Sequence, residues 1–245
     1  MVRTKYIIVW IIIFFSTGQV KASYKKDIYD AYISNNMGKW QKVIDEMDQQ
    51  NIKSNEFVLE LLNYEYGYIG WCIGNKKDEL AEQYLTRGYK NLERLEKSAY
   101  KLSMVNAYKS AFYGFRIGLS LMKAPFIGPK SVDCAKLAIK LDEKNPFGYI
   151  QFGNAQYYMP TVFGGSKTLA IEYFRKAEKL METNAESIKY DWNYLNIVAI
   201  IGRSYTETQQ YTKAKEYFDR ILKVEPNYSW VKKELYPELL KKMKS

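Results

Sequence analysis

From about residue 23 onward the apolar side chains recur with the period of a helix, and no window sustains the two-residue alternation of a strand. Breaks interrupt that pattern at intervals: Gly38, Gly74 to Asp78, Pro125 to Ser131, Asn145-Pro146, Pro160 to Ser166 and Pro226-Asn227. These are residues that end or turn helices. Short helices with regular breaks cannot each bury an apolar face alone, so they must stack as hairpins. The sequence therefore predicts an all-α chain built from repeats.

The register is sharpest in LNIVAIIGRSYTETQQYTKAKEYFDRILKVEPN, residues 195–227. Gly202 and Ala214 are small where two antiparallel helices must approach closely, and Tyr205 and Phe218 are large where they fill the space between units. Together with Ile201, Ile221 and Pro226 these positions resemble the tetratricopeptide repeat. In that repeat the first helix carries Leu-Gly and Tyr, and the second carries Ala and Phe before a Pro. The same register places Phe152-Gly153, Ala170, Phe174 and Ala177 in the preceding unit, and Gly118, Ala135 and Ile139 in the one before it. The resemblance implies a right-handed superhelix of about five helical hairpins with a C-terminal capping helix. Its clearest repeats are 111–145, 146–182 and 195–227, and its cap is 228–245. Fainter pairs lie at 57–95, turning at Asn75 to Asp78, and at 27–50, divided near Gly38.

Two of these units are longer than the third. Gly202 to Ala214 spans twelve positions, whereas Gly153 to Ala170 and Gly118 to Ala135 each span seventeen. The extra residues fall in MPTVFGGS and APFIGPKS, which superpose Pro160 on Pro125 and Ser166 on Ser131. Both segments are read as loops, with the proline stopping the first helix and the serine capping the second. They carry Pro125, Phe126, Pro160, Phe163, Gly164 and Gly165, and they emerge at the same rim. Inserts of this kind also resemble those of the exported T component of TRAP transporters. They either cover the groove as a lid or pack on one another, and packing is the favoured reading.

At the start of the chain, Arg3 and Lys5 precede an apolar run from Tyr6 to Phe15 and a small, polar stretch ending at Ala22. That pattern predicts a signal peptide, residues 1–22, cleaved near Ala22, and an exported protein that is periplasmic or outer-membrane-associated. Ten apolar residues are too few for a span; the alternative reading is an uncleaved short anchor. No cysteine near the cut could take a lipid anchor. The formal charge of +10 becomes +7 without Arg3, Lys5 and Lys21, and the repeat domain is residues 23–245. Membrane association beyond a peripheral contact is not expected, and neither is nucleic-acid binding in the absence of a recognisable module. Oligomeric state is left open.

Catalytic signatures are missing. There is no histidine, and hence no triad or histidine metal cluster, and no Walker or Gly-x-Ser-x-Gly motif. Gly164-Gly165-Ser166-Lys167 precedes a helix but lacks the spacing of a phosphate loop. No enzyme activity, cofactor or metal is expected. Cys72 and Cys134 lie in apolar helical stretches where a buried free thiol is common, and their pairing stays open.

Binding is the better lead. In tetratricopeptide repeats the first helices line a concave surface. Carried onto this register, that implies Tyr68 and Trp71 in the second unit, Phe112, Phe115, Arg116, Leu119 and Lys123 in the third, and Phe147, Ile150, Gln151, Asn154, Tyr157 and Tyr158 in the fourth. In the fifth it implies Asn196, Arg203 and Glu207. Such an aromatic groove with amide and cationic groups suits a protein or peptide partner in the cell envelope. The alternative is a transporter-associated soluble component binding a small amphipathic ligand. Glu65 and Arg116, both embedded in apolar helix text, are expected to form an ion pair, since neither is cheaply buried alone.

Overall fold

Side chains in the turns fix where several helices begin. Asn36 accepts the Lys39 N–H at 3.0 Å, Ser54 that of Phe57 at 3.1 Å, Asn145 that of Phe147 at 3.0 Å, Ser166 that of Leu169 at 3.2 Å and Asp191 that of Asn193 at 2.9 Å. Each such cap satisfies an otherwise orphaned donor and contributes about 1 kcal/mol. The computed structural model, which describes residues 17–244, contains α1 (Thr17–Ser34), α2 (Met37–Asp48), α3 (Asn55–Gly74), α4 (Asp78–Lys97), α5 (Leu102–Leu119), α6 (Ala124–Leu141), α7 (Pro146–Tyr158), α8 (Lys167–Met181), the single turn α9 (Ala185–Ile188), α10 (Trp192–Glu207), α11 (Tyr211–Val224) and α12 (Tyr236–Lys242), and these side chains cap α2, α3, α7, α8 and α10. The described residues contain no strand. None of their helices is long and apolar enough to cross a membrane. The expected signal segment lies for the most part outside the described residues; its residues 17–22 form the opening of α1.

Successive helices pair as five hairpins, α1/α2, α3/α4, α5/α6, α7/α8 and α10/α11, and the C-terminal segment packs on α11. The hairpin geometry follows from the small residues already read in the sequence. A Cβ on Gly202 would stand 2.5 Å from the Phe218 ring, and one on Gly153 would stand 2.5 Å from the Phe174 ring. Only glycine lets these helices meet with phenylalanine between them. The third hairpin begins at Leu102, earlier than the sequence register of 111–145 implied. In the cap, a π-helical stretch, Val231–Leu235, precedes α12, whose Pro237 cannot donate into an α-helical ladder.

Three of the five hairpins turn in the same way. Asn35, Lys76 and Gln209 adopt left-handed φ of 57°, 57° and 59°. The next N–H in each case returns to the helix, Asn36 to Ala31 O, Lys77 to Cys72 O and Gln210 to Tyr205 O, at 2.8 to 2.9 Å. This is the Schellman arrangement that ends a helix in one residue. The third and fourth hairpins lack it and carry the longer connections.

Those two connections differ from each other, which corrects the expectation of equivalent loops. In the fourth hairpin, Met159 is extended before Pro160, a short 3-10 turn spans Thr161–Phe163, and Gly164 sits at φ 92°. A Cβ on Gly165 would lie 1.8 Å from Met159 O, so Gly-Gly is required here. Ser166 caps α8 as predicted. In the third hairpin the helix ends at Leu119, well before Pro125, and a 3-10 turn Leu121–Lys123 leads straight into α6. Pro125 occupies the first turn of α6, where its missing donor costs nothing. Ser131 does not cap; it is buried and donates to Ser110 O at 2.8 Å. The extra residues therefore form an additional helical turn in one hairpin and a loop in the other.

Candidate binding surface

Aromatic side chains fill the space between the first helices of the hairpins. Tyr32 of α1, Trp40 of α2, Tyr66 of α3, Tyr108 and Phe115 of α5, Phe147 of α7 and Trp192 of α10 form one continuous set of rings. Trp40 and Trp192 meet edge to face at 5.0 Å and Tyr32 and Trp192 at 5.6 Å, while Tyr108 and Phe147 lie tilted at 4.6 Å. Tyr66 touches Tyr108, Phe115, Phe147 and Trp192 with centroids 5.2 to 6.1 Å apart. A Cβ on Gly67 would come within 2.7 Å of both Trp40 and Trp192, which marks how closely the helices converge. Such ring pairs each add about 0.5–1.5 kcal/mol beyond their buried area. The first hairpin also docks on the last: Tyr29 donates to Glu225 at 2.5 Å, Tyr32 to Asn196 at 2.9 Å and Tyr228 to Tyr32 at 2.5 Å.

This packing places the expected groove residues in two groups. Tyr68, Phe112, Phe147 and Gln151 are buried and belong to the core. Tyr68 donates to Gln41 at 2.9 Å, and Gln151 donates to the Tyr66 hydroxyl at 3.2 Å. Ile150 and Tyr157 are buried as well. Trp71 is half-buried, stacked on Tyr68 at 5.7 Å with the Lys77 ammonium 4.6 Å from its ring. Asn154 donates to Gln151 at 3.2 Å, and Asn196 is occupied by Tyr32. An open aromatic groove is therefore replaced by a closed one, because the N-terminal hairpin curls onto α10.

The ion pair expected between Glu65 and Arg116 is also corrected. Glu65 is fully buried and accepts from Arg87 Nε at 2.5 Å and from Asn91 at 3.0 Å, both on α4 of its own hairpin. Arg87 in turn holds Asp45 of α2 at 2.8 Å. Burial pushes the Glu65 carboxyl up to about 7, against the opposing pull of Arg87 and Asn91. Arg116 instead meets Glu82 at 3.0 Å and lies over the Tyr89 ring. Cys72 and Cys134 are free thiols, both raised by burial.

What remains open lies at the rim where the first helices end. α5 and α7 run in parallel, since Ser103 near the start of α5 receives a hydrogen bond from Asn145 just before α7. Ile73 at the end of α3 touches Gly118, and Tyr157 at the end of α7 donates to Glu207 at the end of α10. Four of the helix-to-helix turns thus share one edge. On it, the two exceptional turns expose Leu121 (77%), Met122 (85%), Phe126 (77%), Tyr158 (67%), Val162 (84%) and Phe163 (71%). Phe126 and Phe163 form no ring pair among the described residues, so the inserts do not pack on one another through these rings. Exposed apolar side chains are ordinary when scattered; six on two neighbouring turns are not.

Cations border this edge. Arg203 and Lys167 both bind Glu207, at 3.0 and 2.6 Å, and both lie over the Tyr157 ring. Burial alone would raise Glu207, but Lys167, Tyr157 and Arg203 together hold it below the ordinary carboxylate range. The Tyr157 phenol is pushed far up by burial and by its bond to that carboxylate. Position on the rim, as distinct from the groove, carries no periodicity signal. The sequence cue was the pair of connections themselves, with Phe and Val where a turn needs only polar residues.

The tetratricopeptide-repeat family model matches residues 196–228, which comprise most of α10, all of α11 and the turn after them. No curated protein matches the sequence. Among solved structures, the HusA haemophore from Porphyromonas gingivalis has a similar fold, with a TM-score of 0.63 at 16% identity over 79% of this chain and 97% of that one. Likeness at that identity speaks for the fold. The described residues form an all-helical repeat fold of five hairpins and a cap, with a tetratricopeptide repeat at residues 196–228.

Proposed function

We propose that this chain is a non-catalytic binding protein whose ligand sits on the apolar rim formed by residues 119–126 and 158–166. The observation that carries this reading is the exposure of six large apolar side chains on the two turns that abandon the tight geometry of the other three. The ligand class with most support is a flat amphipathic anion of porphyrin size. Phe126, Phe163 and Tyr158 supply aromatic faces, and Arg203, Lys167 and Lys123 supply positive charge at the border. The structural neighbour is itself called a haemophore. With no histidine in the chain, imidazole ligation of iron plays no part, and this reading rests the affinity on apolar contact and charge. The opening Arg3-to-Ala22 pattern is the ground for placing this binding in the cell envelope.

Titration with iron-free protoporphyrin and with haem, followed by absorbance and tryptophan fluorescence, tests the reading. Saturable binding of both, within about threefold of each other and weakened at least tenfold by Phe126→Ala with Phe163→Ala, is the expected result. Affinity that persists unchanged in that double variant would sink it. A second reading, a protein segment docking on the same rim, draws on the tetratricopeptide match. It predicts instead that porphyrins fail to bind while a protein crosslinks from position 163.

A further inference from the structure

α6 differs from the other outer helices in what it turns toward solvent. Its buried side is narrow, consisting of Ser131, Ala135 and Ala138. The opposite stripe runs Phe126, Lys130, Asp133, Leu137, Leu141 at the three-and-four spacing of one helix face, and Leu137 and Leu141 are 43% and 48% exposed. From Leu121 to Leu141 four lysines, Lys123, Lys130, Lys136 and Lys140, face a single carboxylate, Asp133. On other helices several lysines are matched with acids along their own helix, as in Lys26 with Asp30, Lys97 with Glu93 and Lys215 with Asp219. Lys123 in the preceding turn and Lys130, Lys136 and Lys140 on α6 form no ion pair among the described residues, though the Lys136 ammonium lies 5.9 Å from the Phe152 ring.

We infer that this outward face of α6 docks on an anionic phospholipid membrane. A convex helix offers no pocket to a folded ligand, but it can lay leucine and phenylalanine into the headgroup boundary while lysine stems reach up to the phosphates. The cations are all lysine. Diffuse negative charge suits such point charges, whereas protein interfaces favour arginine and are depleted in lysine. The surface overlaps the rim at Phe126 and Lys123, whereas Lys130, Lys136, Leu137, Lys140 and Leu141 lie outside it.

Co-sedimentation of the full chain with vesicles of phosphatidylcholine alone, and with about 30% phosphatidylglycerol, tests the inference. Partition is expected to rise at least tenfold with the anionic lipid, given about fivefold per lysine at such a surface. Lys136→Glu with Lys140→Glu abolishes most of that gain at unchanged thermal melting. The matched reversal on α8, Lys176→Glu with Lys179→Glu, preserves it. Phe163→Ala also preserves it, so failure of the rim reading leaves this result unaffected. Absence of a gain with phosphatidylglycerol would overturn the proposal and point to an acidic protein surface. Equal loss in the two lysine pairs would overturn it in favour of unspecific charge.

Discussion

The Tyr228 hydroxyl donates to the Tyr32 hydroxyl across 2.5 Å, and Tyr32 donates onward to Asn196 at 2.9 Å. This relay ties the first hairpin to the turn after the fifth, and it turns what would be an open groove into an interior. Both phenols are held far above their ordinary range, chiefly by burial. Tyr32→Phe leaves the Tyr228 hydroxyl without its acceptor and Asn196 without its donor. The expected cost is about 1–3 kcal/mol, read as a melting temperature lowered by about 2–4 °C per kcal/mol for a chain of this size. An unchanged melt would mean that the hairpin is not docked.

Trp192 sits deeper in the same interface, and its Nε1 has no hydrogen-bond partner among the described residues. Trp192→Ala opens a void against Trp40, Tyr32 and Tyr66 and should cost about 3–5 kcal/mol. Trp192→Phe keeps an aromatic ring and removes the unpaired donor, so it should cost far less. Chemical denaturation of the two variants distinguishes them; equal losses would contradict this packing.

Glu65 gives stability a pH dependence of defined sign. Its carboxyl titrates near 7 in the folded protein but near its ordinary value when unfolded. The folded state therefore binds a proton that the unfolded state has already released. The contribution is fully present below about pH 4.5 and is lost as pH rises through 7. Asp191, also raised by burial, acts in the same direction, so the comparison must be between proteins. Melting temperature should fall from pH 5 to pH 8 more steeply in the native chain than in Glu65→Gln. Parallel curves would rule out the assignment. Arg116→Gln, whose partner Glu82 is half-buried where Glu65 is fully buried, should shift the melt by less than Arg87→Gln.

The rim loop rests on two glycines, Gly164 for its left-handed φ and Gly165 for its close approach to Met159. Gly165→Ala places a methyl against the Met159 carbonyl, so the segment from Thr161 to Ser166 must move. The predicted outcome is a melt close to that of the native chain with porphyrin affinity lowered at least tenfold. Retained affinity would show that the conformation of this loop is not what the ligand reads.

Much of the fold was legible because small residues opposite large ones are a direct imprint of helix contact. Gly202 with Phe218 and Gly153 with Phe174 fixed two hairpins, and Ser166 announced its own cap. The equivalence of Pro125 and Pro160 was misleading, because proline is as content in the first turn of a helix as just beyond its end. Surroundings decide between the two, and only Gly164-Gly165 forces a loop. Glu65 was correctly marked as a buried acid needing a partner, but Arg87 three-dimensionally adjacent on α4 left no periodic trace that Arg116 lacked. The groove assignment failed at Tyr68, Phe112, Phe147 and Gln151 for a deeper reason. Ring closure is set by contacts nearly two hundred positions apart, such as Tyr29 with Glu225, and no local pattern encodes them.

The most direct test of rim binding over a closed interior is the ¹H–¹⁵N spectrum of the assigned protein titrated with ferric haem, whose paramagnetic iron broadens nearby amides. Broadening confined to residues 119–126, 158–166 and the neighbouring end of α10 is the predicted result. Broadening centred on Tyr66, Gly67, Gln151 and Trp192 would place the ligand in an opened groove and contradict the account.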